Sequence, residues 1–337
     1  MAQVGKSPLL EVSDLAVRLN TSRGPATAVR DVSFTLRRGE TLGLVGESGC
    51  GKSVTALALM GLLPDNAVVS GSIRLDGREL VGLSDADYCE LRGNRIGMIF
   101  QEPMTALNPM HTVGQQVAEP LRRHRHCSAA EARKQAIALL DRVGLPEAAR
   151  RVDAYPHQFS GGQRQRVTIA MALACEPDVL IADEPTTALD VTVQGQILDL
   201  VADLVAERGM SMILISHDLG VIAENVRKMM VMYGGTVVES GTTEEIFARM
   251  GHPYTQGLFR ARPRLGAKKG TRLSTIAGTV PELADLPSGC AFADRCTIVE
   301  SRCRAAPPPA LEVAPGHRVR CVRTDVSMAV KDRVLPA

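Results

Sequence analysis

The chain has 337 residues, with 39 Lys+Arg against 37 Asp+Glu. The resulting net charge of +2 excludes a generalised nucleic-acid-binding surface, though not a local basic patch. That length suits one large domain or two modest ones, and 45% hydrophobic with 23% charged residues is the balance of a soluble globular chain.

The near-zero charge averages two unlike stretches. Residues 251–337 hold 14 Lys+Arg and 7 Asp+Glu, a net of +7, which leaves −5 on residues 1–250. The basic stretch is also the richer in Pro and Cys. The opening MAQVGKSPLL lacks the apolar run of a signal peptide. The longest apolar runs, 54–63 and 167–174, fall well short of the ~20 residues that span a bilayer. A cytosolic protein is expected. Structural disulfides are rare there, so eight cysteines call for another explanation.

In chain order, the first strong signal is Gly46-Glu47-Ser48-Gly49-Cys50-Gly51-Lys52-Ser53, a full G-x-x-x-x-G-K-[ST] match. A strand-like run, 41–45, precedes it and a helix-like run, 53–63, follows, which is the setting a phosphate-binding loop requires. Its glycines let backbone N–H groups curl toward a phosphate at a helix N-terminus. Lys52 would reach the β- and γ-phosphates, and the Ser53 hydroxyl would ligate magnesium. Cys50 reads either as a small filler or as a low-pKa thiol activated by Lys52 and the helix N-terminus. Loss of activity on alkylation, prevented by bound nucleotide and abolished by Cys50→Ser, would mark the second reading.

Further along, a helix is predicted over 129–143, with Ile137, Leu140 and Val143 at helical spacing. The run Arg122–Cys127, RRHRHC, reads as a solvated helix end, with metal or acidic lipid as the alternative. Ser160-Gly161-Gly162-Gln163 opens a helical run at 167–175, either as a plain helix cap or as a second ring of N–H donors for phosphate. The strand-like run 179–182 ends in Asp183-Glu184, and the run 212–215 ends in Ser216-His217. Ligands of open parallel sheets gather outside the carboxyl ends of the strands. Asp183 is the metal-side residue of this set, Glu184 could orient or deprotonate a water, and His217 joins them.

The tail carries Cys290, Cys296, Cys303 and Cys321, spaced C-x5-C-x6-C-x17-C. Clustered thiols in a cytosolic chain point to metal ligation before disulfides. The spacing departs from the tight pairs of zinc ribbons, and four thiolates equally suit an iron–sulfur cluster. Zinc, a cluster and unliganded thiols stay open on spacing alone. Residues 261–289 show little periodicity, so the tail lacks an obvious core and would use a metal as a structural staple. Cys89 and Cys175 read as fillers.

Together, GESGCGKS, Gln101, FSGGQ, VLIADE, the Ala188-Leu189-Asp190 turn and His217 resemble the nucleotide-binding subunit of an ABC transporter over about residues 10–250. MIFQEPMTALNP at 98–109, YPHQFSGGQRQR at 155–166, ADEPTTALDVTVQGQIL at 182–198 and HPYT at 252–255 are similar to the oligopeptide, dipeptide and nickel importer branch, its "D" type subunit in particular. The resemblance implies an α/β fold: a P-loop NTPase core with a mostly parallel sheet, an antiparallel β subdomain and a helical subdomain. The core would span 1–260, with the helical part at about 102–177, and a Cys-rich extension would fill 261–337.

The resemblance also implies roles. Lys52 and the amides of residues 46–53 hold ATP, while Ser53, Gln101 and Asp183 surround Mg2+. Glu184 is the general base and His217 contacts the γ-phosphate. Gln101 sits where the sheet core meets the helical part. Ser160, Gly161, Gly162 and Gln163 close over the nucleotide of an opposing subunit, and Asp190 joins the two sites. The branch carries a 4Fe-4S cluster in its tail, here on Cys290, Cys296, Cys303 and Cys321, although Thr297 replaces a frequent proline. The implied partners are an "F" type ATPase subunit, two membrane permeases and an extracytoplasmic solute-binding protein, at the cytoplasmic face of the plasma membrane. Short peptides are the implied solute; nickel, opines or sugars are the alternatives.

One departure concerns the base: Arg18 or Leu19 stands where the family places an aromatic ring on adenine, so discrimination for adenine is expected to be weak. Two other classes fit less well. ATPases of this superfamily that act on nucleic acid or ribosomes carry two cores or coiled-coil insertions, and a non-hydrolysing partner would lack Glu184, His217 or the Ser160-Gly161-Gly162 loop.

Overall fold

The computed structural model describes residues 7–187, 189–261 and 275–331. Ala188 of the expected 188–190 turn, and 262–274 of the expected low-periodicity stretch, lie outside the described residues. The chain opens with β1 (Leu10–Thr21), β2 (Gly24–Leu36), β3 (Thr41–Val45), α1 (Lys52–Leu59), β4 (Ala67–Leu75) and β5 (Arg78–Glu79). It continues through α2 (Asp85–Leu91), β6 (Ile96–Ile99), α3 (Pro103–Ala106), α4 (Val113–His124), α5 (Ala129–Arg142), α6 (Ala148–Arg151) and α7 (Gly161–Leu173). Then come β7 (Val179–Asp183), α8 (Val191–Arg208), β8 (Ser211–Ser216), α9 (Leu219–Asn225), β9 (Lys228–Tyr233), β10 (Thr236–Thr242), α10 (Thr243–Arg249) and α11 (Pro253–Arg260). The tail adds α12 (Ser301–Ala305), β11 (Leu311–Ala314), β12 (His317–Val319) and α13 (Thr324–Lys331).

These elements divide into two compact units. One comprises 36–40 and 75–214 with the described residues before Glu11; the other comprises 11–35, 41–74 and the chain from Ile215 onward. In the first, β6 and β7 pair in parallel, Ile96 opposite Val179 and Ile99 opposite Ala182. Every residue of both strands is buried, which is why they read as unbroken apolar runs rather than alternating ones. Five helices, α3 to α7, fill the stretch between these strands.

Helix α5 matches its predicted range within a residue, but its buried stripe is Ala132, Ala136 and Leu140, with Ile137 only half-buried. Small alanines on that face are what let α4 and α5 pack closely. The run RRHRHC closes α4, where Arg122, Arg123 and His124 face the negative end of the helix dipole. At the foot of the unit, Asp178 is gripped by Arg38 and Arg95, which also share Asp76. Those two arginines hold the Asp178 carboxyl below its ordinary range despite partial burial.

In the second unit β3 and β9 pair in parallel, Leu42 opposite Lys228 and Val45 opposite Val231. Antiparallel strands then continue through β10, β12 and β11. The tail therefore extends a sheet, a long-range pairing that the sequence pattern does not announce. Separately, β1 lies between β2 and β4, with a two-residue turn joining β1 to β2 as a hairpin. Among the described residues, no helix is long and apolar enough to cross a membrane.

Candidate functional site

The phosphate loop lies where the sequence places it, between the end of β3 and the start of α1. Gly46 (φ 157°) and Gly51 (φ 101°) take conformations that side chains resist, and each is also sterically confined. A Cβ on Gly46 would meet the Met232 carbonyl oxygen at 2.3 Å, and one on Gly51 would meet the Ala28 carbonyl oxygen at 2.7 Å. Lys52 is 5% exposed, and its Nζ donates to the carbonyls of Gly46 (2.8 Å) and Glu47 (3.1 Å). The lysine thus lies folded along its own loop. Ser53 stands half-buried in the first turn of α1.

Cys50 corrects the activated-thiol alternative. It is 1% exposed, and burial pushes its thiol up by more than the charge of Lys52 draws it down. The filler reading holds for this side chain.

His217 belongs to the same unit, immediately after β8, with its side chain exposed. The next residues turn at once: Ser216 Oγ accepts from Asp218 N–H, and Asp218 caps α9 through Gly220 N–H.

The other unit brings together the carboxylates and Gln101. Asp183 closes β7 and is 4% exposed, a carboxylate at the end of an otherwise apolar strand. Glu184 follows with φ 45°, a left-handed conformation rare outside glycine and frequent at functional turns. Its Oε2 accepts from Gln101 Nε2 at 3.3 Å and from Thr187 Oγ1 at 3.2 Å. Gln101, 83 positions upstream, therefore meets Glu184 directly.

Ser160 caps α7 through a reciprocal box: its Oγ accepts from Gln163 N–H, and Gln163 Oε1 accepts from Ser160 N–H. Gly161 and Gly162 form the first turn, and a Cβ on Gly162 would approach Val193 Cγ1 at 3.0 Å. The capping reading is thus observed, and it leaves Gly161 and Gly162 at the N-terminus of a 13-residue helix. Asp190 likewise caps α8, accepting from Val193 N–H.

All eight cysteines are free thiols. Cys290, Cys296, Cys303 and Cys321 line one small cavity together with His252, Phe292 and Pro308. Backbone N–H groups of Phe292 and Ala293 point at Cys290, that of Ile298 at Cys296 and that of Arg323 at Cys321, each favouring a thiolate. Burial works the other way, pushing Cys321 up to about 11, with the other three thiols adding to the rise. Among the described residues, no three His, Cys, Asp or Glu side chains already enclose a point as metal ligands do.

Sequence reasoning missed how the tail is held. Glu239 of β10 is buried, accepting from the N–H groups of Gly251 (2.7 Å) and His252 (3.0 Å). His317 Nε2 of β12 stands 2.8 Å from Glu239 Oε1, with both side chains fully buried. It also missed Arg295 and Tyr254, which both contact Glu47 of the phosphate loop. Only their positions gave a hint, Arg295 beside Cys296 and Tyr254 within the HPYT segment.

Comparison with known proteins places these features. Residues 29–187 match the ABC transporter family, and residues 238–303 match the oligopeptide/dipeptide transporter C-terminal region. The second match takes in three of the four tail cysteines and stops before Cys321. A protein of Brucella melitensis biotype 1, provisionally named for ATP binding in peptide import, is 50% identical over 332 residues, covering 95% of this chain and 98% of its own. The oligopeptide transport ATP-binding protein OppD of Mycobacterium tuberculosis is 50% identical over 321 residues, covering 95% of this chain and 52% of that longer protein. Among solved structures, the dimeric ATP-binding cassette MJ0796 bound to ADP and Pi superposes with a TM-score of 0.63 at 28% identity, covering 69% of this chain and 98% of that one.

Proposed function

The chain belongs to the ATP-binding subunits of ABC transporters, and from that premise we propose that its ATPase powers the import of short peptides. The observation that carries the catalytic reading is Glu184, turned out of β7 by its left-handed backbone and hydrogen-bonded to Gln101. In this reading Lys52 and the amides of residues 46–53 hold the phosphates. Glu184 takes a proton from the water that attacks the γ-phosphorus as the bond to the β–γ bridging oxygen breaks and ADP leaves, and His217 holds a γ-phosphate oxygen. Ser53, Gln101 and Asp183 would hold Mg2+, which would neutralise phosphate charge when bound; hard oxygen donors, one of them a buried carboxylate, suit it. Base preference stays weak, because β1 offers Arg18 and Leu19 rather than an aromatic ring.

Ser160, Gly161, Gly162 and Gln163 face the nucleotide of a second, "F" type subunit in this reading, and Asp190 links the two sites. Two permeases and an extracytoplasmic binding protein complete the assembly, which stands at the cytoplasmic face of the membrane. Exposed Phe100, Met104 and Met110 around α3 support docking on a permease, since such side chains are uncommon on a solvated surface. Peptide as the solute rests on the names of the relatives and on the C-terminal match.

The tail cysteines suit a 4Fe-4S cluster, with zinc the alternative. Four thiols on one cavity, three of them approached by backbone N–H groups, form a soft donor set whose protons a metal would displace. Iron and sulfide in protein prepared without air support the cluster, and stoichiometric zinc supports the alternative.

The ATPase reading is tested on the purified chain with its partner subunit. Lys52→Ala is expected to lower turnover by roughly 100-fold or more, the scale of a lost electrostatic contact in transfer chemistry. Turnover within twofold of the wild type would remove the phosphate-loop assignment.

A further inference from the structure

Glu47 is the second residue of the phosphate loop, and both its backbone and its side chain are held from the C-terminal part of the same unit. Its N–H donates to Tyr254 Oη at 2.7 Å. Its carboxylate receives a two-pronged contact from Arg295, Nη1 to Oε2 at 2.7 Å and Nη2 to Oε1 at 3.1 Å. The Arg295 side chain is 5% exposed, while Glu47 keeps 30% of its side-chain surface open. The guanidinium is otherwise fully engaged. Nε donates to the Ala277 carbonyl at 2.9 Å, Nη2 also reaches the Ile276 carbonyl at 3.4 Å, and Nη1 also reaches Tyr233 Oη at 3.4 Å.

Arg295 is itself placed by the cysteine segment. It ends the single 3-10 turn Ala293–Arg295, bracketed by Cys290 and Cys296. Phe292, one residue before that turn, packs edge-on against Tyr233 (5.2 Å between centroids) and tilted against Tyr254 (5.4 Å). Tyr254 meets Tyr233 edge-on at 4.7 Å. A rigid aromatic cluster therefore fixes both groups that hold Glu47. Across the loop, Lys52 Nζ bonds the carbonyls of Gly46 and Glu47, so the same short arc is gripped from both sides.

A bidentate Arg–carboxylate pair fixes orientation as well as distance. Glu47 has no other reason to be so held, since a phosphate loop acts through its amides, its lysine and its hydroxyl. We propose that Arg295 is a positioning residue for nucleotide binding. Through Glu47 it sets the 46–48 arc in the shape that receives phosphate, which makes the cysteine-bearing tail part of the nucleotide site. The proposal rests on the reading of residues 46–53 as an ATP-phosphate loop.

The test uses the full chain, fluorescent ATP titration, thermal melting and steady-state ATPase with the partner subunit present. Arg295→Ala is expected to raise the Kd of folded protein roughly tenfold, within the coupling range of contacting residues. The loss should appear in KM more than in kcat. Arg295→Lys keeps the charge but not the fork and should recover part of the affinity. Glu47→Gln leaves the buried arginine in place and should weaken binding in the same direction. Glu47→Gln/Arg295→Ala should be no weaker than Arg295→Ala alone.

A merely structural arginine would lower the melting temperature without changing the Kd of the folded fraction. Unchanged Kd in Glu47→Gln and in folded Arg295→Ala or Arg295→Lys overturns the proposal, as does strict additivity in the double variant. If Arg295→Ala does not fold, Glu47→Gln and Arg295→Lys decide the matter. A wild-type chain that binds no nucleotide removes the ATPase reading, and this proposal with it.

Discussion

The phosphate loop and the cysteine-bearing tail sit in the same compact unit yet are built in opposite ways. Most of the loop's shape comes from its own backbone: positive-φ glycines at 46, 49 and 51, then a helix that starts at once. The tail has short elements and takes its place from partners far away in the chain. β12 pairs with β10, Glu239 meets His317 across 78 positions, and Arg295 meets Glu47 across 248. Local backbone chemistry makes a site that is readable in the sequence. Long-range pairing makes one whose integrity depends on a few buried contacts.

That contrast breaks first at Glu239. Glu239→Ala leaves two backbone N–H groups and a buried imidazole without their acceptor, and a lost buried pair costs about 3–5 kcal/mol. Denaturant melts should show the tail detaching early, with ATP affinity falling roughly tenfold, as expected for loss of the Arg295 contact, rather than vanishing. Loss of both together would show that the tail is not separable.

Acid should come next. His252 is buried, its Nδ1 accepts from Tyr254 N–H, and burial lowers it from 6.5 to about 4. Above pH 6.5 the ring is neutral in both the folded and the unfolded chain. As pH falls below 6.5 the unfolded chain takes up a proton that the folded ring refuses. Stability is therefore lost between pH 6.5 and about 4, by up to about 3 kcal/mol, and not further below. His252→Asn keeps a capping side chain and should flatten that slope in melts across the same range; an unchanged slope would place the acid sensitivity elsewhere.

The smallest effect sharpens the loop side. Cys50 is buried with a raised thiol, so iodoacetamide at neutral pH should label the half-buried Cys89 and Cys127 well before Cys50. Peptide mapping that found Cys50 labelled first would restore the activated-thiol reading.

The same contrast explains what was legible in the sequence. Residues 46–53, Asp183-Glu184 and Ser160–Gln163 are short motifs whose geometry follows from adjacent residues, and they stand on the strand ends and helix starts expected of them. The α5 range and the buried Leu140 and Val143 were legible from periodicity, but Ala132 and Ala136 were not, because alanines carry little hydropathic signal. The Gln101–Glu184 hydrogen bond came within reach only through family resemblance, since no spacing rule joins residues 83 apart. The joining of the tail to the sheet, and Arg295 to the phosphate loop, depended on tertiary pairing that no local pattern encodes.

The catalytic claim turns on Glu184. Glu184→Gln should keep ATP affinity within a few-fold of the wild type, accumulate an ATP-bound dimer and lose most turnover, roughly 100-fold or more for a removed general base. The direct measurement is single-turnover hydrolysis of radiolabelled ATP by the assembled ATPase pair, made beside a sedimentation assay for the dimer. Bound ATP without hydrolysis is the result predicted. Hydrolysis at the wild-type rate would contradict the role given to Glu184.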